Sequence, residues 1–253
     1  MTMRILLAGA AALALAAPAG AQDLPDLDSL MHHLDEMYRS VSSHAVMTMT
    51  VERERGTRSL TLESWSLGED DALIVIREPA REAGTATLRT AEGLWNYAPR
   101  ADRLIRIPTG LLSENWMGSH FTNDDLVRES SYDEDYETTL SWAEGEGGGP
   151  LIRATMTPLP DAPVVYTRIE YLMTSSDWVP TRADYYDQDK LIRSMVFDQV
   201  EMVAGKRIPL RMRIVPLDEP GEYTEIVYDV LELDVGVEAD LFTRRGLRRV
   251  ARG

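Results

Sequence analysis

The sequence predicts a mainly β (α+β) fold: a strongly curved antiparallel sheet with an N-terminal helix and a short helical flap over its concave face. Three observations predict it. From Ala45 onward apolar and polar residues alternate with a period of about two, and turn signals recur every ~8 to 15 residues. No helix of βαβ length interrupts the strands, so neighbouring strands run antiparallel. About ten strands in one open sheet must curl or split, and curling leaves a concave apolar face to fill.

The first 21 residues stand apart from the fold. Arg4 precedes an apolar run, Ile5 to Ala17, and Ala19-Gly20-Ala21 is a small-x-small cleavage site. A signal peptide over 1–21 is therefore expected, with cleavage after Ala21 and one domain over 22–253. The apolar run is too short to span a bilayer comfortably, and no other approaches ~18 residues. Leu24 to Arg39 is predicted helical, capped by Asp23 or Asp26, with Leu27, Leu30, Met31, Leu34, Met37 and Tyr38 as its apolar stripe.

Strands follow. Met47, Met49 and Val51 alternate with Thr48, Thr50 and Glu52. Turns at Gly56-Thr57 and Gly68 to Asp71 lead into Ser59 to Leu67 and Ala72 to Arg77, and Gly84 to Thr90 is next. Leu94 to Ala98 and Arg103 to Ile107 flank the turn Pro99 to Asp102. After Pro108 the pattern changes: Leu111, Leu112, Trp116 and Met117 recur at roughly helical spacing until Gly118 breaks the run. That is the predicted flap, with Pro108, Gly110 and Gly118 as hinges. Further strands are expected at Tyr132 to Ala143, Leu151 to Thr157, Val164 to Thr174, Pro180 to Asp187, Leu191 to Met202, Pro209 to Val215 and Tyr223 to Leu233. A short helix near Glu238 to Arg245 ends the chain, and its arginines are expected on a solvated helix end.

Composition excludes several chemistries. There is no cysteine, which rules out disulfides, thiolate metal sites, a cysteine nucleophile and an acylated N-terminal cysteine. The formal net charge of -16 repels nucleic acid. No HExxH, GxSxG, GxGxxG or P-loop pattern is present. His120 stands near Asp124 and Asp125, but helix capping by Thr122 or Asn123 accounts for that block, at ~1 kcal/mol of stability. No metal, cofactor or catalytic residue is expected. Methionine is conspicuous: Met47, Met49, Met156, Met173, Met195, Met202 and Met212 all fall on predicted strands. Its flexible thioether suits surfaces that accept varied apolar ligands.

Gly93-Leu94-Trp95-Asn96-Tyr97-Ala98-Pro99 resembles a signature of the LolA-like outer-membrane lipoprotein-sorting proteins. Ile105 to Pro108, Trp116-Met117-Gly118-Ser119 and Phe121 to Val127 continue the resemblance in order, as do Tyr185-Tyr186-Asp187, Arg207-Ile208-Pro209 and Leu241 to Leu247. At His120 the sequence departs from it, since the family usually places an acidic residue there. The resemblance implies a half-open, barrel-like sheet with helices in its mouth, and a periplasmic protein that carries lipoprotein acyl chains or lipid. Expected partners are that cargo, an inner-membrane transporter and, transiently, a membrane. The residues expected to line the cavity and flap are Met47, Met49, Trp95, Tyr97, Ile105 and Ile107, with Leu111, Leu112, Trp116, Met117 and Phe121. An envelope sensor or adaptor that binds a partner protein is the alternative; a lipid hydrolase is a third.

Overall fold

The structure is a computed structural model that describes residues 23–128, 135–145, 149–162 and 164–252. The expected leader therefore lies outside the described residues. Helix α1 runs Leu27–Asp35, shorter than expected at both ends. Asp26 caps it, its carboxylate accepting from the Ser29 N–H at 3.0 Å.

Thirteen strands among the described residues form a single antiparallel sheet in the order β6-β5-β4-β3-β2-β1-β13-β12-β11-β10-β9-β8-β7. The first wing comprises β1 (Ser42–Arg53), β2 (Gly56–Leu67), β3 (Asp71–Glu78), β4 (Ala86–Thr90), β5 (Gly93–Ala98) and β6 (Arg103–Arg106). The second comprises β7 (Tyr136–Glu144), β8 (Pro150–Pro158), β9 (Arg168–Thr174), β10 (Pro180–Asp187), β11 (Lys190–Val203), β12 (Lys206–Pro216) and β13 (Tyr223–Leu233). Each wing is a meander of hairpins. Ala204 and Gly205, both at positive φ, make the tight β11–β12 turn. The wings join where β13 returns beside β1, pairing Met49 with Ile226.

This order has one topological consequence. The two edges of the sheet are β6 and β7, and they are consecutive in the chain. Described residues 107–128 follow one free edge and precede the other in the chain. That segment is the flap. It contains 3₁₀ turns at Thr109–Leu111 and Trp116–Gly118 and a short helix α2, Asn123–Arg128.

Period-two alternation sorts the side chains onto two faces. Met47 and Met49 of β1, Leu62 of β2, Ile152 of β8 and Met195 of β11 belong to one large buried cluster, which α1 and the flap cover with Leu30 and Trp116. The opposite face of β3–β5 carries a second cluster, Leu73, Val75, Leu88 and Tyr97. The chain end covers it: a 3₁₀ turn at Ala239–Phe242 leads into α3, Arg244–Ala251, which buries Leu247 fully. Burying a leucine is worth about 1.5–3 kcal/mol. The terminal arginines lie on the outer side of α3 and bind locally: Arg248 pairs with Asp102 at 3.1 Å and Arg249 with Asp240 at 2.9 Å.

Several strand ends lie a few residues from where the sequence puts them, the first residues of the strand expected at Tyr132 to Ala143 lie outside the described residues, and two boundaries have a visible cause. The strand expected from Val164 starts only at Arg168, because Tyr166 leaves the ladder to pack its ring on Arg193. The terminal helix lies further along than Glu238–Arg245, because Thr243 supplies the N-cap, accepting from the Gly246 N–H at 3.0 Å.

Candidate functional site

The concave face encloses a cavity of about 210 Å³, or about 1430 Å³ with its open mouth counted. Met47 (β1), Met195 and Phe197 (β11), Met212 (β12) and Ile226 (β13) line its floor. From α1 and the residues after it come Leu34, Met37 and Tyr38. Trp116, Phe121 and Leu126 of the flap close the far side. These side chains are flexible thioethers, aromatic rings and aliphatics, which bind apolar matter by area rather than by directed bonds.

The flap is held by polar groups, each traceable to its local sequence. Asn115 and Thr122 form an isolated bridge, and Trp116 N–H donates to Phe121 O at 2.7 Å. This tight loop aims both rings inward. Met117 and Gly118, at φ +51 and +70, make its corner. The Trp116 indole Nε1–H donates to Thr87 Oγ1 of β4 at 2.9 Å, tying the flap to the first wing. Thr122 and Asp125 form a reciprocal cap on α2: Thr122 N–H donates to Asp125 Oδ2 at 2.7 Å and Asp125 N–H to Thr122 Oγ1 at 3.2 Å. The expected capping role is thus seen at Thr122 and Asp125.

Asp125 does more than cap. It forms a buried ion pair with Arg193 of β11, tying the flap to the second wing. The Arg193 guanidinium lies between Tyr166 and Tyr185, 4.6 and 4.2 Å from their ring centroids. Burial works against its charge, but Asp125 beside it holds its pKa above the ordinary arginine range. Burial, with Asp125 near, pushes the Tyr166 hydroxyl well above its ordinary value. Neither tyrosine is an acid at neutral pH.

His120 faces two glutamates about a hundred residues further along the chain. Its Nε2 lies 3.3 Å from Glu219 and 3.4 Å from Glu222, and its Nδ1 2.8 Å from Thr224 Oγ1. Among the described residues, His120, Glu219 and Glu222 stand close enough together to hold a metal ion. Arg53 already bridges both carboxylates, at 3.0 and 2.9 Å, so a cation is built into the cluster.

The structure brings together only part of the expected lining. Met47, Trp116 and Phe121 line the cavity. Met49 is fully buried in the same core behind it, and Met117 packs on that core from the flap. Trp95 and Tyr97 point the other way. Two residues apart on β5, they share the convex face, where Tyr97 packs with α3's cluster and the Arg106 guanidinium lies 5.9 Å over the Trp95 ring. Ile105 and Leu111 are exposed at the β6 edge. Ile107 and Leu112 line a separate shallow depression. Of the methionines singled out, Met156, Met195 and Met212 join Met47 in the lining, Met173 is buried in the same core, and Met202 is exposed. Sequence reasoning missed Tyr171, Phe197 and Tyr228, and the buried Arg39 and Arg89. Phe197 was within reach, being the inward partner of Met195 on β11.

Residues 68–249 match a family model described as an uncharacterized protein, more than half of the chain. The chain belongs to that family. Its fold is LolA-like. The structure is similar to that of a candidate outer membrane lipoprotein-sorting protein domain from Vibrio parahaemolyticus, with TM-score 0.76, 21% identity, and 87% of this chain and 97% of that one covered. It is similar to a DUF1329 family protein from Desulfovibrio piger, with TM-score 0.78, 24% identity, and 87% and 96% covered. A LolA superfamily protein from Nitrosomonas europaea is similar at TM-score 0.71, 20% identity, and 85% and 96% covered. No curated protein matches the sequence. At these identities the likeness establishes the fold. Among the described residues no helix is long and apolar enough to cross a membrane.

Proposed function

We propose that this protein is a periplasmic carrier that binds lipoprotein acyl chains or lipid in the concave cavity and takes part in outer-membrane lipoprotein sorting. The observation that carries the reading is the cavity itself: an open, mostly apolar space between two wings of one sheet, floored by Met47, Met195 and Met212 and closed by Trp116 and Phe121 of an edge-to-edge flap. A buried acyl chain gains about 0.8 kcal/mol per CH₂, so several methylenes suffice for binding without a catalytic group. The same arithmetic makes release slow unless a partner intervenes, which is the role of an inner-membrane transporter on loading and of membrane contact on delivery. The leader, cleaved after Ala21, supplies the route to the periplasm.

Native mass spectrometry of protein purified from the periplasm, followed by organic extraction, tests the proposal. The expected result is a chain starting at Gln22 with an added mass that extraction releases as lipid. Met195→Trp, which fills the cavity from β11 without touching the Arg193–Asp125 pair, should abolish the added mass in a folded protein. Protein recovered lipid-free that also fails to take up added fatty acid would remove the carrier reading.

A further inference from the structure

The two edges of the sheet are built differently. β6 is four residues long and carries Arg103 and Arg106. A short edge bearing charge resists pairing with a foreign strand. β7 is nine residues long. Glu137 and Glu144 stand towards its ends, and Thr138–Ala143 between them holds no charge, proline or glycine. Among the described residues its ladder runs along β8 alone. A long, uncharged edge of this kind is open to a further strand.

The register with β8 sorts its side chains onto two faces. Thr138, Leu140 and Trp142 pair with Met156, Ala154 and Ile152, which belong to the large core, so all three lie on the concave face. Ile152 is 1% exposed, whereas Trp142 beside it is 39% exposed. One strand further out, the same row of the core is open to water. Glu137, Thr139, Ser141 and Ala143 lie on the convex face, where Thr139 and Ser141 are exposed.

β7 is complementary to itself. In an antiparallel register centred on Leu140, that residue meets its own copy, Thr139 meets Ser141 and Thr138 meets Trp142. On the concave side two leucines and two tryptophans then come together, each ring diagonal to the partner's Leu140. On the convex side hydroxyl faces hydroxyl. No carboxylate meets another, since Glu137 faces Ala143 and Glu144 faces Tyr136.

We propose that β7 is an interaction surface for a second copy of this chain, the two strands pairing antiparallel about Leu140. The two-fold axis of such a pair is perpendicular to the sheet, so the two sheets become one and both concave faces lie on the same side of it. An isologous edge needs no other partner, and Thr138–Ala143 offers a charged partner nothing to recognise. Each chain carries a net charge of -16, so repulsion at a distance opposes the pair, and salt strengthens it by screening. A partner held by opposite charge would show the reverse. The pairing holds whether or not the cavity carries lipid.

The test is sedimentation equilibrium of the mature chain at about 0.01 M and about 0.15 M salt. The expected result is a monomer–dimer equilibrium that tightens at the higher salt. Thr139→Lys with Ser141→Lys sets lysine opposite lysine and should weaken the dimer by about tenfold or more. Thr139→Glu with Ser141→Glu should do the same. A mixture of the two double variants should recover a dimer, because in this register each lysine meets a glutamate. Ile105→Lys on β6 is the control and should dimerise as the wild type does. A protein that stays monomeric at every concentration and both salts would overturn the proposal. So would double variants that dimerise like the wild type, a mixture no tighter than either variant alone, or a dimer lost in Ile105→Lys. Should a double variant fail to fold, amide hydrogen exchange of the wild type decides: protection across Thr138–Trp142 should rise with protein concentration, and protection independent of concentration would overturn the pairing.

Discussion

Arg193 of β11 and Asp125 at the start of α2 form a buried ion pair that ties the flap to the second wing, with the guanidinium between two tyrosine rings. The two side chains are 7% and 12% exposed, so solvent cannot replace either partner. Asp125→Ala should cost about 3–5 kcal/mol, because it leaves a buried charge without its partner. This is well above the ~1 kcal/mol that a capping role alone predicts. Asp125→Leu with Arg193→Met should recover most of the loss. Urea denaturation of the three variants checks it; a double variant no more stable than Asp125→Ala would show that the pair is not the cause.

Trp116 offers a finer probe of the flap. Trp116→Phe keeps an aromatic wedge but loses the indole donor to Thr87, and should cost about 0.5–1.5 kcal/mol plus a small packing term. In a variant with Trp116 as its sole tryptophan, emission should be that of a buried indole and should shift when fatty acid is added. An unchanged spectrum at saturating ligand would mean that the flap is a fixed plug.

The convex face gives a prediction independent of the cavity. A side chain at Gly246 would run into the backbone carbonyl oxygens of Asp240 and Leu241, which cannot yield without moving the 3₁₀ turn off α3. Gly246→Ala should therefore destabilise by about 1–3 kcal/mol. Fatty-acid binding by the folded fraction should be unaffected. Loss of binding with no loss of stability would mean that the chain end communicates with the cavity.

His44 makes stability depend on pH. Burial opposes its charge, yet hydrogen bonds to Glu232 at 3.0 Å and Glu63 at 2.9 Å raise its pKa above the ordinary 6.5. A raised histidine contributes stability that is complete below pH 6.5 and fades as the pH rises through the folded-state value. Burial shifts His33 the other way, so its contribution has the opposite sign. The quantity to measure is the difference between wild type and His44→Gln by denaturation from pH 5.5 upward. It should be largest at the acid end and shrink with pH; a constant difference would mean that the imidazole does not titrate in the fold.

The strands were legible because Met47, Met49 and Val51 alternate strictly with polar neighbours, and most later runs do the same. The flap was legible because Leu112, Trp116 and Met117 carry more apolar surface than a loop in water. Which face a strand shows to the cavity was not legible. Trp95 and Tyr97 look as greasy as Met47, but a sheet buried on both faces at β3–β5 has two inward directions, and local sequence does not say which one the distant α3 covers. The Arg193–Asp125 pair was hidden for the same reason: its partners are 68 residues apart and meet only across the mouth. Arg39 and Arg89 look like ordinary surface arginines until the register sets Arg89 in line with Ser43 and Ser66.

The β1–β13 seam has a consequence for how the chain reaches this state. Both wings are meanders whose strands pair with sequence neighbours, so each assembles from short loops. The seam pairs Ser43 with Leu233 and Glu52 with Tyr223, so in the native register β1 is completed by the last strand of the sheet in chain order. Closing a loop of that length costs more entropy than the hairpins do, and β13 is the last strand available when the chain emerges N-terminus first. Until then β1 is a long edge strand carrying Met47, Met49 and Val51 with half its backbone donors and acceptors unpaired. An edge of that kind templates association between chains. The nascent protein is at greatest risk of aggregation at its centre rather than at its ends, and any holding factor would serve it best at β1.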